Sequence, residues 1–196
     1  MSKDFILASQ SPHRKALLEQ IGYSPKAVEP ADIDETPNKN EKPSQYVKRM
    51  ALEKALHVAA KHSGEVVLAS DTIIVCGTKI IQKSKSDAEQ VKVMEMLSGR
   101  THRVMTAVCV INRQGKNTLR LSTTKIKMKR LSQREIADYI ASKDWHGCAG
   151  YKIEGLMGGF VTQIIGSYSG VVGLPLYEAR SLFCLLYTSD AADEAR

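Results

Sequence analysis

Three observations predict an α/β domain built on a mixed β-sheet. Strand-like apolar runs alternate with helical stretches along the chain. The run over residues 66–75 is apolar on both sides of Ser70-Asp71-Thr72, as in a strand covered on both faces. Residues 103–111 and 118–128 alternate in polarity around Gln114-Gly115, as adjacent strands joined by a turn would. The 196 residues suffice for one large domain or two small lobes sharing a cleft. With 43% hydrophobic and 25% charged residues, a sizeable core can form.

Residues 3–8 read as a strand and 13–21 as a helix closed by Gly22. Residues 25–40 form an extended polar connection. Residues 44–61 are helical, with Ser44 as cap and Gly64 beyond the end. Ser86 and Glu89 form a capping box for a helix to Leu97, which Gly99 stops. Ser132 and Glu135 cap another helix that ends near Ser142. A glycine-rich loop spans 147–159, residues 160–165 form a strand, and a final helix starts at 174. The stretch 184–196 resembles the translation of a sequencing adapter, so the domain is expected to be residues 1–183, with 184–196 a non-native tail.

The formal net charge of +7 suggests an acidic partner: a nucleotide, a nucleic acid or an anionic membrane. Cys76, Cys109, Cys148 and Cys184 are scattered without a CxxC pair, which argues against a zinc site and a disulfide framework. No apolar run approaches a membrane span and Met1-Ser2-Lys3-Asp4 is no secretory leader, so a cytoplasmic protein without a membrane partner is expected. The run Lys125-Ile126-Lys127-Met128-Lys129-Arg130 alternates like a strand with one solvated lysine face. With 6% aromatic residues and no recognised motif, nucleic acid is not the expected partner.

The chemistry gathers in four places. In Ser9-Gln10-Ser11-Pro12-His13-Arg14, a strand runs straight into a helix. Ser11 suits the cap and Pro12 the first helical position, so free N–H groups and the positive helix end face the loop. Ser9, Ser11 and Arg14 then make an anion cradle suited to a polyphosphate; an ordinary Ser-Pro helix start with a solvated arginine has the same residues. Asp71 lies inside an apolar run, where a carboxylate needs a metal, a cation or a reacting water to compensate it. An exposed aspartate in a turn is the plainer alternative. Lys54 shares a helix face with Val47, Met50, Ala51 and Val58. It either snorkels there or, with Arg14 and Lys83, serves a triphosphate. Asp34 and Glu35 are paired acids that suit Mg²⁺ beside a phosphate cradle, or a solvated loop. The P-loop signature and the nucleophile elbow are both missing.

Taken in order, these residues resemble the Maf family of nucleoside triphosphate pyrophosphatases. The resemblance rests on Leu7-Ala8-Ser9-Gln10-Ser11-Pro12-His13-Arg14, Asp32-Ile33-Asp34-Glu35, Arg49 with Glu53-Lys54-Ala55, and Ala69-Ser70-Asp71-Thr72. It continues through Lys83, Leu97-Ser98-Gly99-Arg100-Thr101-His102, Cys148-Ala149-Gly150, Ile153-Glu154-Gly155 and Gly166-Ser167-Tyr168-Ser169 to Gly173-Leu174-Pro175. It implies an elongated fold with a central mixed β-sheet flanked by helices, and two lobes with a cleft between them. It implies cleavage of a nucleoside triphosphate between the α and β phosphates, Mg²⁺ or Mn²⁺ as cofactor, and a homodimer.

By the same resemblance, Ser9, Ser11 and Arg14 hold phosphate, as do Lys54 and Lys83. Glu35 and Asp71 bind metal or activate water, and Asp71 is the proton acceptor. His13, Thr72 and Glu154 occupy the positions associated with substrate choice. The branch acting on dTTP and UTP usually shows Arg, Thr and Gln there, and the 7-methyl-GTP branch Trp, Gln and Glu. This chain mixes the two, so the base stays open. The loop Cys148-Ala149-Gly150-Tyr151-Lys152 is one residue shorter than the family pattern. The expected function is removal of surplus or modified nucleotides. The alternative is a nucleotide-binding regulator of cell division without turnover.

Overall fold

The computed structural model describes the backbone of residues 4–193 and the side chains of residues 4–186. Among these residues seven strands form one mixed sheet: β1 (Phe5–Ala8), β2 (Ala27–Val28), β3 (Val66–Cys76), β4 (Lys79–Ile81), β5 (Thr101–Ile111), β6 (Asn117–Met128) and β7 (Val161–Ile165). The order is β2-β1-β3-β5-β6-β7, with β4 against the far end of β3. The first three strands run parallel and the remaining pairings are antiparallel.

The helices are α1 (Pro12–Gln20), α2 (Pro43–Ala59), α3 (Asp87–Leu97), α4 (Gln133–Ser142), α5 (Tyr168–Val172) and α6 (Leu176–Asp193). Most boundaries follow the sequence reading, and three differ for physical reasons. α2 starts one residue early because Pro43 takes the first helical position, where its missing N–H costs nothing. The Lys42 N–H goes to Gln45 Oε1 at 3.3 Å, and Ser44 caps nothing. β2, β4 and α5 are too short to carry a periodic signal. α6 runs past residue 183 into the stretch expected to be a tail, and its Leu186 is buried against Leu182 and Phe183 in one cluster.

Two-residue alternation divides the core. Odd-numbered residues of β3 and β5, from Val67 to Val75 and from Met105 to Ile111, pack under Val47, Met50, Ala51 and Val58 of α2. Even-numbered residues on the opposite face form two separate clusters. Near β1, Leu68 and Val108 meet Leu18 of α1 and Leu182 and Phe183 of α6. At the far end, Ile74, Val104, Ile126 and Met128 meet Met94 of α3, Ile136 and Tyr139 of α4, and Trp145.

Between those clusters lies a belt of buried hydroxyls: Ser70, Thr106, Ser122 and Thr124. Backbone of residues 166–173 covers it and accepts its hydrogen bonds. Thr106 Oγ1 donates to Gly170 O at 2.7 Å, Ser70 Oγ to Gly173 O at 3.0 Å, and Thr124 Oγ1 to Ser167 O at 3.2 Å. The close approach requires Gly166, where φ is +130° and a Cβ would lie 2.7 Å from Thr124 Oγ1. The polar belt between two apolar clusters is the physical origin of two lobes on one sheet.

In the far lobe His102 is only 2% exposed. It shares a 2.6 Å hydrogen bond with Tyr151 through Nε2, while Nδ1 has no partner among the described residues. Burial pushes its pKa down to about 4 from the ordinary 6.5. The unfolded histidine therefore takes a proton that the folded one refuses. Its contribution to stability is whole above pH 6.5 and is lost as pH falls towards 4, a change of about 3 kcal/mol. Urea unfolding of the wild type between pH 7.5 and 5 should show this slope, and His102→Gln should flatten it by about one proton. Equal slopes in the two proteins would count against a neutral buried His102.

Candidate active site

The site sits at a gap in the sheet. On one edge of β3, β1 pairs with Val66 to Ala69 and β4 with Ile74 to Cys76. Ser70, Asp71, Thr72 and Ile73 have β5 on the other side and, among the described residues, no strand on this one. The β1–α1 turn opens beside this gap, at the carboxyl end of parallel β1, where α/β sheets commonly place ligands.

Asp71 points to the α2 face, with Ala69 and Ile73 beside it on β3 and Ala107 opposite on β5. It is 8% exposed. Its compensation is Lys54, whose Nζ lies 2.7 Å from Asp71 Oδ1 and 2.7 Å from Glu35 Oε1. Lys54 therefore does not snorkel. It bridges two carboxylates that lie 36 residues apart in sequence. Burial works to raise the Glu35 carboxyl. The Lys54 hydrogen bond and the fields of Lys54, Lys83 and Arg14 outweigh it and hold Glu35 below its usual value.

Thr72 points to the opposite face and meets Arg14. Arg14 donates from Nε to Gly173 O at 2.9 Å, from NH1 to Ser9 Oγ at 3.1 Å and from NH2 to Thr72 Oγ1 at 3.4 Å. Burial draws its guanidinium below the usual value, against the fields of Asp71 and Glu35. Arg14 thus feels both carboxylates, although its direct partners lie on the far side of β3. Gly173 O also accepts from Ser70 Oγ and so is the anchor for the arginine. At Gly173 φ is +135°, and a Cβ would lie 3.4 Å from Arg14 Nε.

The remaining predicted residues fall around this centre. Ser11 is the N-cap of α1, but its side chain caps nothing, and its own N–H donates to Ser9 Oγ at 3.1 Å. The first-turn N–H groups of this nine-residue helix thus have no side-chain cap, as an anion cradle requires. Lys83 is exposed beside β4, bridged to Ala149 of the glycine-rich loop, and reaches the centre through its field at Glu35. His13 and Glu154 meet directly, Nδ1 to Oε1 at 3.2 Å, and join α1 to the glycine-rich loop. Asp34 is occupied: its Oδ1 accepts from the Thr36 N–H at 2.9 Å in a local turn. Lys54 thus joins Glu35 to Asp71 and not to Asp34.

Ser70, Thr106, Gly170 and Gly173 were not singled out as site residues by sequence reasoning, although they fix Arg14 and Thr72. Thr106 Oγ1 lies 3.1 Å from Thr72 Oγ1. For Ser70 and Thr106 the signal in the residues is a hydroxyl at an even position of an otherwise apolar strand. Tyr46 was also missed; its hydroxyl donates to Glu35 O at 2.8 Å. Burial, then the fields of Asp71 and Glu35, push its pKa up to about 12, so it remains a donor.

Among the described residues no cluster of three or more His, Cys, Asp or Glu forms a complete metal cage. Two convergent carboxylates, each bonded to Lys54 through one oxygen, match a hard cation that takes one or two protein ligands and fills its shell with water and phosphate. The donor set fits Mg²⁺ or Mn²⁺ and offers no thiolate or imidazole for a softer ion.

Nearly the whole chain is similar to known proteins. A dTTP/UTP pyrophosphatase from Caulobacter vibrioides is 48% identical over 178 residues, 90% of this chain and 92% of the relative. One from Zymomonas mobilis is 48% identical over 183 residues, 93% and 91% of the two chains. One from Paramagnetospirillum magneticum is 47% identical over 178 residues, 90% and 94%. Among solved structures, a HAM1 protein from Coxiella burnetii overlaps 66% of this chain and 75% of its own, with 20% identity and a TM-score of 0.48. The model of the Maf-like protein family matches residues 4–185, which include every site residue described above, and the chain belongs to that family.

Proposed function

We propose that this chain hydrolyses a nucleoside triphosphate between the α and β phosphates, with dTTP and UTP, which name its relatives, as substrates. The observation that carries the reading is the meeting of Arg14, Lys54 and Lys83 around Glu35 and Asp71 at the gap in β3. Three cations suit a triphosphate, whose charge must be neutralised and whose leaving group must be aligned. Arg14 and the α1 N-terminus take phosphate oxygens from one side of the strand edge. Lys54 and Lys83 take them from the other. Glu35 and Asp71 would hold Mg²⁺ or Mn²⁺, which would supply further neutralisation and polarise a water.

Asp71 Oδ2, the oxygen not held by Lys54, accepts the proton of the attacking water. The water oxygen bonds to the α phosphorus as the bond to the bridging oxygen breaks. A nucleoside monophosphate and pyrophosphate leave. The homodimer and the cytoplasmic setting implied by the family resemblance complete the reading.

Pyrophosphate release should be measured across a triphosphate panel with Mg²⁺ and with Mn²⁺. Asp71→Asn should lower kcat by about 10²–10⁴-fold while the protein stays folded. Cleavage of no triphosphate by the wild type, or an undiminished Asp71→Asn, would defeat the mechanism.

The base is recognised beside the His13–Glu154 contact. A carboxylate only accepts hydrogen bonds, whereas a glutamine also donates to a pyrimidine carbonyl. Glu154→Gln should therefore raise kcat/KM for UTP and dTTP several-fold, about 1 kcal/mol, relative to GTP. A selectivity that does not move would separate Glu154 from base choice.

A further inference from the structure

Glu35 stands on a segment with no regular structure. Residues 29–42 contain neither helix nor strand, and the Glu35 side chain is 50% exposed. Its carboxylate touches only Lys54 among the described residues. A ligand or base on such a segment is useful only if its backbone is held.

The hold comes from α2. Arg49 grips Glu41 with a two-pronged ion pair, Nε to Oε1 at 2.8 Å and NH2 to Oε2 at 2.8 Å. NH2 also donates to Thr36 O at 3.1 Å, one residue beyond Glu35. NH1 reaches Glu53 of the same helix at 3.2 Å. Each nitrogen of the guanidinium is therefore turned towards protein oxygen. Tyr46, one turn earlier, donates to Glu35 O, and its ring lies 5.6 Å from the Arg49 guanidinium carbon. Glu41 in turn accepts from the Asn38 N–H at 2.9 Å, so the clamp closes both ends of the turn. The Glu41 side chain is 8% exposed and that of Arg49 is 23% exposed, so water competes weakly for the pair.

We infer that Arg49, with Tyr46, is the positioning residue that fixes Glu35 over the gap in β3, and that the divalent cation is bound tightly only while this clamp is closed. The inference rests on the function proposed above and deepens it. Arg49 holds two points of the loop and α2 at once, and α2 also carries Lys54. One helix therefore sets both the carboxylate's backbone and the cation it pairs with. Arg49 does not touch the reacting atoms. It acts through Glu35, as partners behind a metal ligand do.

The test uses Mn²⁺ binding by paramagnetic resonance, together with steady-state kinetics. Arg49→Gln should weaken Mn²⁺ binding by about 10-fold and lower kcat by a similar factor, with triphosphate KM moving less than about 3-fold. Arg49→Lys should recover only part of this, because an ammonium cannot make the two-pronged pair. In a Glu35→Gln background, Arg49→Gln should add less than about 2-fold, since the group it positions is already gone. Tyr46→Phe removes a single hydroxyl and should move Mn²⁺ binding in the same direction, which keeps the test decisive if Arg49→Gln fails to fold. Unchanged Mn²⁺ binding in folded variants, or a full additional loss in the Glu35→Gln background, would overturn the inference. A wild type that binds Mn²⁺ and cleaves no triphosphate would defeat the proposed function and leave the binding arm to judge the clamp.

Discussion

The pairing of Lys54 with Asp71 is the interaction on which the site depends. A carboxylate in the middle of a strand that is otherwise Val, Leu, Ala and Ile would be costly to bury alone. Lys54 offsets that cost from the one helix covering its face. The same nitrogen then draws Glu35 in from a loop, so a requirement of folding also assembles two acids around a cation. Such a centre is balanced rather than inert. In the proposed reaction, a triphosphate and a divalent cation would take over the partners that the protein groups now give each other.

Alternation along β3 does the rest. Asp71 and Thr72 are neighbours in sequence and lie on opposite faces of the sheet. On one face, Asp71 is served by α2. On the other, Ser70 and Thr72 belong to a hydroxyl belt that receives the backbone of residues 166–173. Gly173 then offers its carbonyl to Arg14. The two halves of the site lie beside one open edge, because among the described residues β3 has no neighbour there from Ser70 to Ile73. An additional strand there would separate the arginine from the acids. The proposed function therefore needs the gap as much as any side chain.

Legibility in the sequence followed the range of the signal. Pro12, Ser86, the Ser132–Glu135 box and the glycine at 115 act within a few residues, and elements were found near all of them. Asp71 and Lys54 were legible because each breaks a pattern, one in an apolar strand and the other on an apolar helix face. Asp34 looked equal to Glu35, and only their tertiary and turn partners distinguish them, Lys54 for Glu35 and the Thr36 N–H for Asp34. Arg49 entered only as part of the family resemblance, without a role, and Tyr46 not at all, because what they hold lies eight to thirteen residues away in a loop.

By itself the sequence determined the α/β class, the buried strands and the cationic first motif, since local sterics, periodicity and residue type express these directly. The tertiary structure decided which groups meet. It set Lys54 between Glu35 and Asp71, turned Arg14 onto a carbonyl 159 residues distant, and brought His13 to Glu154. Those contacts follow from strand register, from the face each alternating side chain takes and from where a strand edge is left open. Such properties arise only once distant segments pack together.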